Sequence, residues 1–347
     1  MRVVVDAAVF DDAAVDALAL LDVLACGAEG RHVVAIDPPL RTSSDARASF
    51  NRWLARTLAP DGAITRLLAE HYQRGPTRDD RVTLRREVRV VAEAYSTWGA
   101  EPPRLTVRDA RQLLREPLSI VLEDAVNDGA FLLALTHVAG EGGRRLRERL
   151  DRAWLRVAHG GGIGTIPRLV RALDEAPTLR LRCHVLVDHD GDAPDAPSRH
   201  SKLVEDACAE AGVPFLRLRR RAIENYAPRE ALERWARGEL FSRREVGDAK
   251  SWQRVLHNPG HPAMLAERET ALTAWNDLTE PERCHAPLKA MLADDIAERV
   301  FAGYVAGKAR PGADPEPERF VVQPAWLRRD GCAAEAEHLV ESILRSA

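Results

Sequence analysis

The stretch Val187-Asp-His-Asp-Gly-Asp192 sets three carboxylates, Asp188, Asp190 and Asp192, just past an apolar run, Val185-Leu186-Val187. Like charges this close repel one another, so such a cluster is stable chiefly where a divalent cation or a basic ligand neutralises it. Gly191 suits a tight turn beyond the strand end. Two further strand ends carry acids. Pro117-Leu-Ser-Ile-Val-Leu122 delivers Glu123, with Asp128 further along, and Pro214 to Leu218 precedes Glu224. Three chemistries use such acids: calcium in an EF-hand loop, a metal-bound nucleotide sugar on an Asp-x-Asp pair, and magnesium-dependent phosphodiester hydrolysis. The calcium loop fails, because its sixth and twelfth positions are Ala193 and Arg199, where glycine and glutamate are required. Glycosyl transfer remains open but leaves Glu224 without a purpose. His189 points away from its aspartate neighbours if the extended conformation continues, so it is expected not to be a ligand.

Acids on separate strands meet only if the strands run parallel and end at one edge, where open α/β sheets take their ligands. The pattern supports that arrangement. Met1 to Asp6 reads as a strand, Val15 to Leu24 as a helix, and His32 to Ile36 as a second strand, a βαβ unit. Met1 to Phe10 is also faintly similar to the opening strand of PIN-domain nucleases, with Asp6 at the strand end. Residues 44 to 98 read as mostly helical, and Glu101-Pro-Pro103 marks a break. From Arg111 the acidic strands alternate with helical stretches. One runs from Asp128 to Leu135, another from Arg144 to Val157 with Leu146, Leu150, Trp154 and Val157 as its stripe. His159-Gly-Gly-Gly-Ile-Gly164 precedes a helix over Ile166 to Leu173 and matches neither a Walker loop nor a dinucleotide fingerprint. A helix over Ser201 to Ala211 leads to the strand at Pro214. Beyond Arg229 the chain reads as helical, with a proline-rich loop over 309–318. The expected architecture is α/β, with an N-terminal α/β lobe (1–110), a parallel-sheet catalytic domain (111–228) and a mainly helical C-terminal region (229–347).

Bulk properties exclude little. A net charge of −3 over 347 residues neither demands nor forbids a nucleic-acid partner. Five scattered cysteines without Cys-x-x-Cys spacing argue against a disulfide framework or a structural zinc. The lack of a long apolar run, and Asp6, Asp11 and Asp12 near the N-terminus, predict a cytoplasmic protein with no membrane contact.

Four pieces in order, Ser119-Ile-Val-Leu-Glu-Asp124, Gly160-Gly-Gly162, Val187-Asp-His-Asp-Gly-Asp192 and Ile223-Glu-Asn-Tyr226, make residues 117–228 resemble a TOPRIM domain. The resemblance is to the nuclease branch found in OLD-family proteins, here without the ATPase that accompanies it there. It implies a Rossmannoid parallel sheet and a nuclease using Mg2+ or Mn2+. It also implies a nucleic-acid substrate, DNA ahead of RNA, a separate ATPase or sensor as partner, and a role in phage defence. On that basis Glu123 combines metal binding with general-base work, Asp188 and Asp190 contact metal, and Asp192 and Glu224 complete a second site. The family's acid four residues after the glutamate is displaced here to Asp128, because Asn127 stands at that place. The branch also uses a lysine after the second glutamate. Lys289 fits, with Lys250 behind it, and Arg219 to Arg221 would hold the substrate backbone. A TOPRIM fold kept as a non-catalytic binding module is the alternative to an enzyme, and the full acid set argues against it.

Overall fold

Two stretches of alternating strands and helices each fold into a four-stranded parallel sheet. The computed structural model describes residues 1–60, 62–74, 86–237, 262–292, 300–301 and 324–347. The first sheet comprises β1 (Arg2–Asp6), β2 (Val33–Asp37), β3 (Glu87–Val90) and β4 (Arg104–Leu105), in the order β2-β1-β3-β4. Its helices are α1 (Ala17–Ala28), α2 (Ser44–Thr57), α3 (Ala63–Arg74) and α4 (Val107–Arg115). Val3, Val5, Val34, Ile36, Val88 and Val90 join these helices in one core. Alternation along β1 to β3 therefore sends one face inward and leaves the other mixed, with Arg2, Glu87 and Arg89 beside Val4, Val33 and Ala35.

The second sheet comprises β5 (Leu118–Leu122), β6 (Leu155–His159), β7 (Cys183–Val187) and β8 (Phe215–Arg217), in the order β6-β5-β7-β8. Its helices are α5 (Asn127–Val138), α6 (Gly140–Asp151), α7 (Ile166–Ala172), α8 (Pro177–Leu181), α9 (Arg199–Ala211) and α10 (Arg229–Ala236). Both faces of this sheet are covered. Leu118, Ile120, Leu122 and Leu186 pack with α5, α10 and the C-terminal helices, whereas Val121, Val185 and Val187 pack with α7 and α9. Burial on both faces explains why β5 and β7 read as continuous apolar runs.

The helices beyond residue 260, Pro262–Asn276, Glu280–His285, Leu288–Met291, Pro324–Arg329 and Ala333–Ser346, share the core of the second sheet, through Trp275, Leu327 and Leu339 among others. Helix α4, which spans the boundary expected at residue 110, packs in the first core through Ala110, Leu113 and Leu114. Lys250 and the proline-rich stretch 309–318 lie outside the described residues. Among the described residues no helix is long and apolar enough to cross a membrane.

Two elements depart from expectation. Glu87–Val90, within a stretch read as helical, is the strand that pairs with both β1 and β4. The helix expected over Arg144 to Val157 stops at Asp151, because Ala153 turns left-handed at φ 55° and Leu155–His159 becomes an edge strand. The apolar stripe continued into that strand and hid the change of structure.

Buried Arg86 fastens the two halves. Its Nη1 donates to Arg180 O at 2.8 Å and its Nη2 to Gly212 O at 2.9 Å, at the ends of helices of the second unit. Burial pushes its guanidinium down to about 10. Removing it strips two part-buried carbonyls of charged donors, so Arg86→Ala should destabilise the fold by roughly 2–4 kcal/mol in urea unfolding. A change below measurement error would show that the link carries no stability.

Candidate metal centre

The chain leaves β5 and β7 in opposite directions. β5 leads through α5 and α6 to β6 on one side, and β7 leads through α9 to β8 on the other. Loops that part in this way open a crevice at the carboxyl ends of the two strands, the place where such sheets receive ligands. Glu123 is the first residue after β5, and Asp188 is the first after β7.

Backbone bonds fix the β5 loop. Asp124 N–H donates to Asp128 Oδ2 at 2.8 Å, and Asp128 N–H returns a bond to Asp124 O at 3.0 Å. The Asp124 carboxylate accepts from Val126 N and from Asn127 Nδ2, both at 2.8 Å. Asp128 is thereby turned back toward Glu123 at the start of α5. The glycine run lies alongside. Gly160 N–H donates to Leu122 O at 2.7 Å, and a Cβ there would lie 2.8 Å from that same oxygen. No larger residue fits so close to the end of β5.

The β7 loop has a different logic from the glycine turn expected. Asp190 itself takes the left-handed conformation, φ 55°, which aspartate tolerates better than most residues. Its N–H donates to Arg221 O at 2.7 Å. Gly191 is needed for space, since a Cβ would stand 1.9 Å from Ala196 O. His189 is buried and braces the turn, accepting from Gly191 N–H at Nδ1 and donating from Nε2 to Pro194 O at 3.0 Å. Ser201 Oγ donates to Asp188 O and accepts from Arg217 Nε, which ties the loop to α9 and β8.

After β8 a short 3-10 helix, Ile223–Tyr226, divides its work residue by residue. Ile223 enters the core and Glu224, 2% exposed, faces the other acids. Asn225 Nδ2 donates to Arg283 O and Ala286 O, while its Oδ1 accepts from Ala222 N. Tyr226 Oη donates to Glu335 at 2.7 Å, and the same carboxylate accepts from Arg219 N–H. The end of the helix Glu280–His285 is a second brace. Cys284 O accepts from Arg221 N–H, and His285 Nδ1 pairs with Gly191 O at 3.3 Å. Asn225, Glu335 and His285 were not singled out from sequence. Only the Ile-Glu-Asn-Tyr motif gave any signal for Asn225.

The electrostatics single out the crevice. Asp188 is held well above the usual carboxylate range, first by desolvation, then by Asp128, Glu224, Asp190 and Glu123. Every one of these neighbours is an acid. Asp128 is pushed up to about 7 by burial, opposed by its bond from Asp124 N–H and reinforced by Glu123, Asp124 and Glu224. The structure thus brings Glu123, Asp128, Asp190 and Glu224 within electrostatic reach of Asp188, and Glu123 and Glu224 within reach of Asp128. Asp192 stands apart, with its side chain 91% exposed and paired with Arg221. Lys289 lies in the helix Leu288–Met291, just past the His285 brace, and its side chain falls outside the described residues. Of the three arginines, Arg219 is exposed, Arg220 donates to Asn225 O and Asp330 O, and Arg221 holds Asp192.

Oxygen donors only, desolvated and mutually repelling, suit a hard divalent cation such as Mg2+ or Mn2+. Among the described residues no three acids, histidines or cysteines stand at ligand spacing, so holding an ion would require the carboxylates to move closer together.

Because Asp128 holds its proton more tightly in the folded chain than in the unfolded one, stability of the metal-free protein falls as pH rises from about 4 through about 7. Asp128→Asn should lessen that fall, leaving the part due to Asp188, and stabilise the metal-free protein at pH 8 by roughly 2–4 kcal/mol, while matching the parent near pH 4. Parallel pH–stability curves for the two proteins would contradict the burial of this acid. No family model, no curated protein and no solved structure matches the chain.

Proposed function

We propose that this chain is a divalent-metal-dependent nuclease of the TOPRIM type, acting on nucleic-acid phosphodiesters at the carboxyl edge of its second sheet. The observation that carries the reading is the gathering of Asp128, Glu224, Asp190 and Glu123 around buried Asp188 between diverging loops. Buried like charges destabilise a fold, and a site that accepts them serves a purpose other than stability.

Glu123, Asp188 and Asp190 would hold Mg2+ or Mn2+, with Asp128 and Glu224 available to a second ion. When bound, such an ion would lower the pKa of a water and neutralise charge on the scissile phosphate. Glu123, directly after β5, would take the proton of the attacking water. Asp190 holds its carboxylate in place through the left-handed turn fixed by Arg221 O and braced by His189. Asp128 keeps its orientation through Asp124 N–H. Lys289 follows the braced segment that carries Asn225's two carbonyl partners, and it supplies positive charge to the phosphate or the leaving oxygen. Arg219 alone of the arginine triplet is free to meet the substrate backbone. Asp192, committed to Arg221, has no direct part.

Purified protein is incubated with supercoiled plasmid, single-stranded DNA and RNA in Mg2+ or Mn2+. Glu123→Gln and Asp188→Asn should each lower cleavage by at least about 100-fold and abolish the Mn2+-induced rise in melting temperature, while Asp192→Asn leaves most of both. Undiminished cleavage in both the Glu123 and Asp188 variants would sink the assignment.

A further inference from the structure

The face of the first sheet that carries Arg2, Glu87 and Arg89 is turned away from the core that Val3, Val5, Val88 and Val90 form with that unit's helices. It floors a cavity of about 700 Å³, within the range that holds small organic ligands. Val4, Val33 and Ala35 make an apolar patch on that floor, and helix α6 supplies Arg145 and Arg149 to the wall.

The charges around the cavity do not balance. Six arginines and four acids line it. Three acids are taken within the protein, as Arg2–Glu87 at 3.4 Å, Arg89–Asp37 at 2.8 Å and the pair Arg345–Glu341. That leaves Arg41, Arg145 and Arg149 against Glu29. Among the described residues neither Arg145 nor Arg149 makes an ion pair. They stand one helical turn apart, a spacing at which like charges disfavour the helix. Arg149 is also desolvated, which pushes its guanidinium down to about 10, with Arg145 the next contributor. Arg149 keeps its place by donating to Arg31 O at 3.3 Å.

An anion would relieve this repulsion, and paired guanidinium forks match phosphate oxygens better than ammonium groups do. Phosphate alone needs no apolar floor and fills a small part of the space. A ligand with a charged end and a flat, weakly polar end uses both walls.

We propose that the cavity over the first sheet binds a phosphorylated nucleoside, its phosphate on Arg145 and Arg149 and its base on Val4, Val33 and Ala35. The site lies on the first sheet, away from the acids of the second, and its existence does not depend on the metal reading.

Isothermal titration of the full chain in EDTA, which keeps the acidic edge free of metal–nucleotide complexes, tests it directly. The probes are adenosine, AMP, ADP, GMP, CMP, UMP, inorganic phosphate and pyrophosphate. At least one nucleotide should bind with a dissociation constant below about 1 mM and more tightly than either inorganic anion. Arg145→Glu, at an exposed position that leaves the core intact, should weaken it by about tenfold or more, and Arg145→Lys should keep part of the affinity. Arg149→Ala should weaken it likewise, with circular dichroism confirming the fold. Absence of nucleotide binding overturns the proposal, as does affinity unchanged in Arg145→Glu, or inorganic phosphate or pyrophosphate binding as tightly as the nucleotides.

Discussion

The second half of this protein is built around carboxylates that repel one another. Two charges a few ångströms apart in a partly desolvated crevice interact by several kcal/mol, whereas each hydrogen bond that restrains them returns only about 1 kcal/mol. No single contact can hold such a group together. The restraint is spread instead over the backbone: Asp124 to Asp128, Asp190 to Arg221, Ser201 to Asp188, and Asn225 to Arg283 and Ala286. The parallel strands supply the rigid frame, and the C-terminal helices supply the two carbonyls that receive the Asn225 bonds.

The first sheet shows that topology alone does not make such a centre. Its order, β2-β1-β3-β4, has the same reversal as β6-β5-β7-β8, and β1 and β2 both end in aspartates. There the acids are consumed locally. Asp6 accepts from Ala8 N–H as a helix cap, Asp37 pairs with Arg89, and Asp11 is held below the usual range by Ser49 and Arg52. This is the face on which the opening strand resembled a PIN-domain nuclease, and its acids are committed to structure. What separates the two sheets is which partners the chain supplies to otherwise similar strand ends.

Much of the acidic edge was legible because strands buried on both faces leave long apolar runs, and the acids that end them stand out. Glu123, Asp188 and Glu224 were found that way, whereas the strand order β6-β5-β7-β8 emerges only from the fold. β3 was not legible, since Glu87 and Arg89 occupy its polar face and break the run. β6 was hidden by a helical stripe that ran on through Trp154 into the strand. The fate of Asp192 depends on Arg221, a partner 29 residues away, which spacing along the chain does not reveal. Nor does the sequence announce that the positive φ falls on Asp190 while Gly191 merely clears Ala196 O.

The tie between Tyr226 and Glu335 joins residues 109 positions apart. Glu335 also caps Arg219 N–H, so the segment bearing Glu224 is anchored at both ends by one carboxylate from the helix Ala333–Ser346. During synthesis the acidic strands leave the ribosome long before that anchor does. Until Glu335 docks, Tyr226 and the Arg219 amide lack their acceptor, and the loop carrying Glu224 has less to hold it against Asp128 and Asp188. The order of translation therefore delays assembly of the acidic edge until nearly all of this sequence has been made.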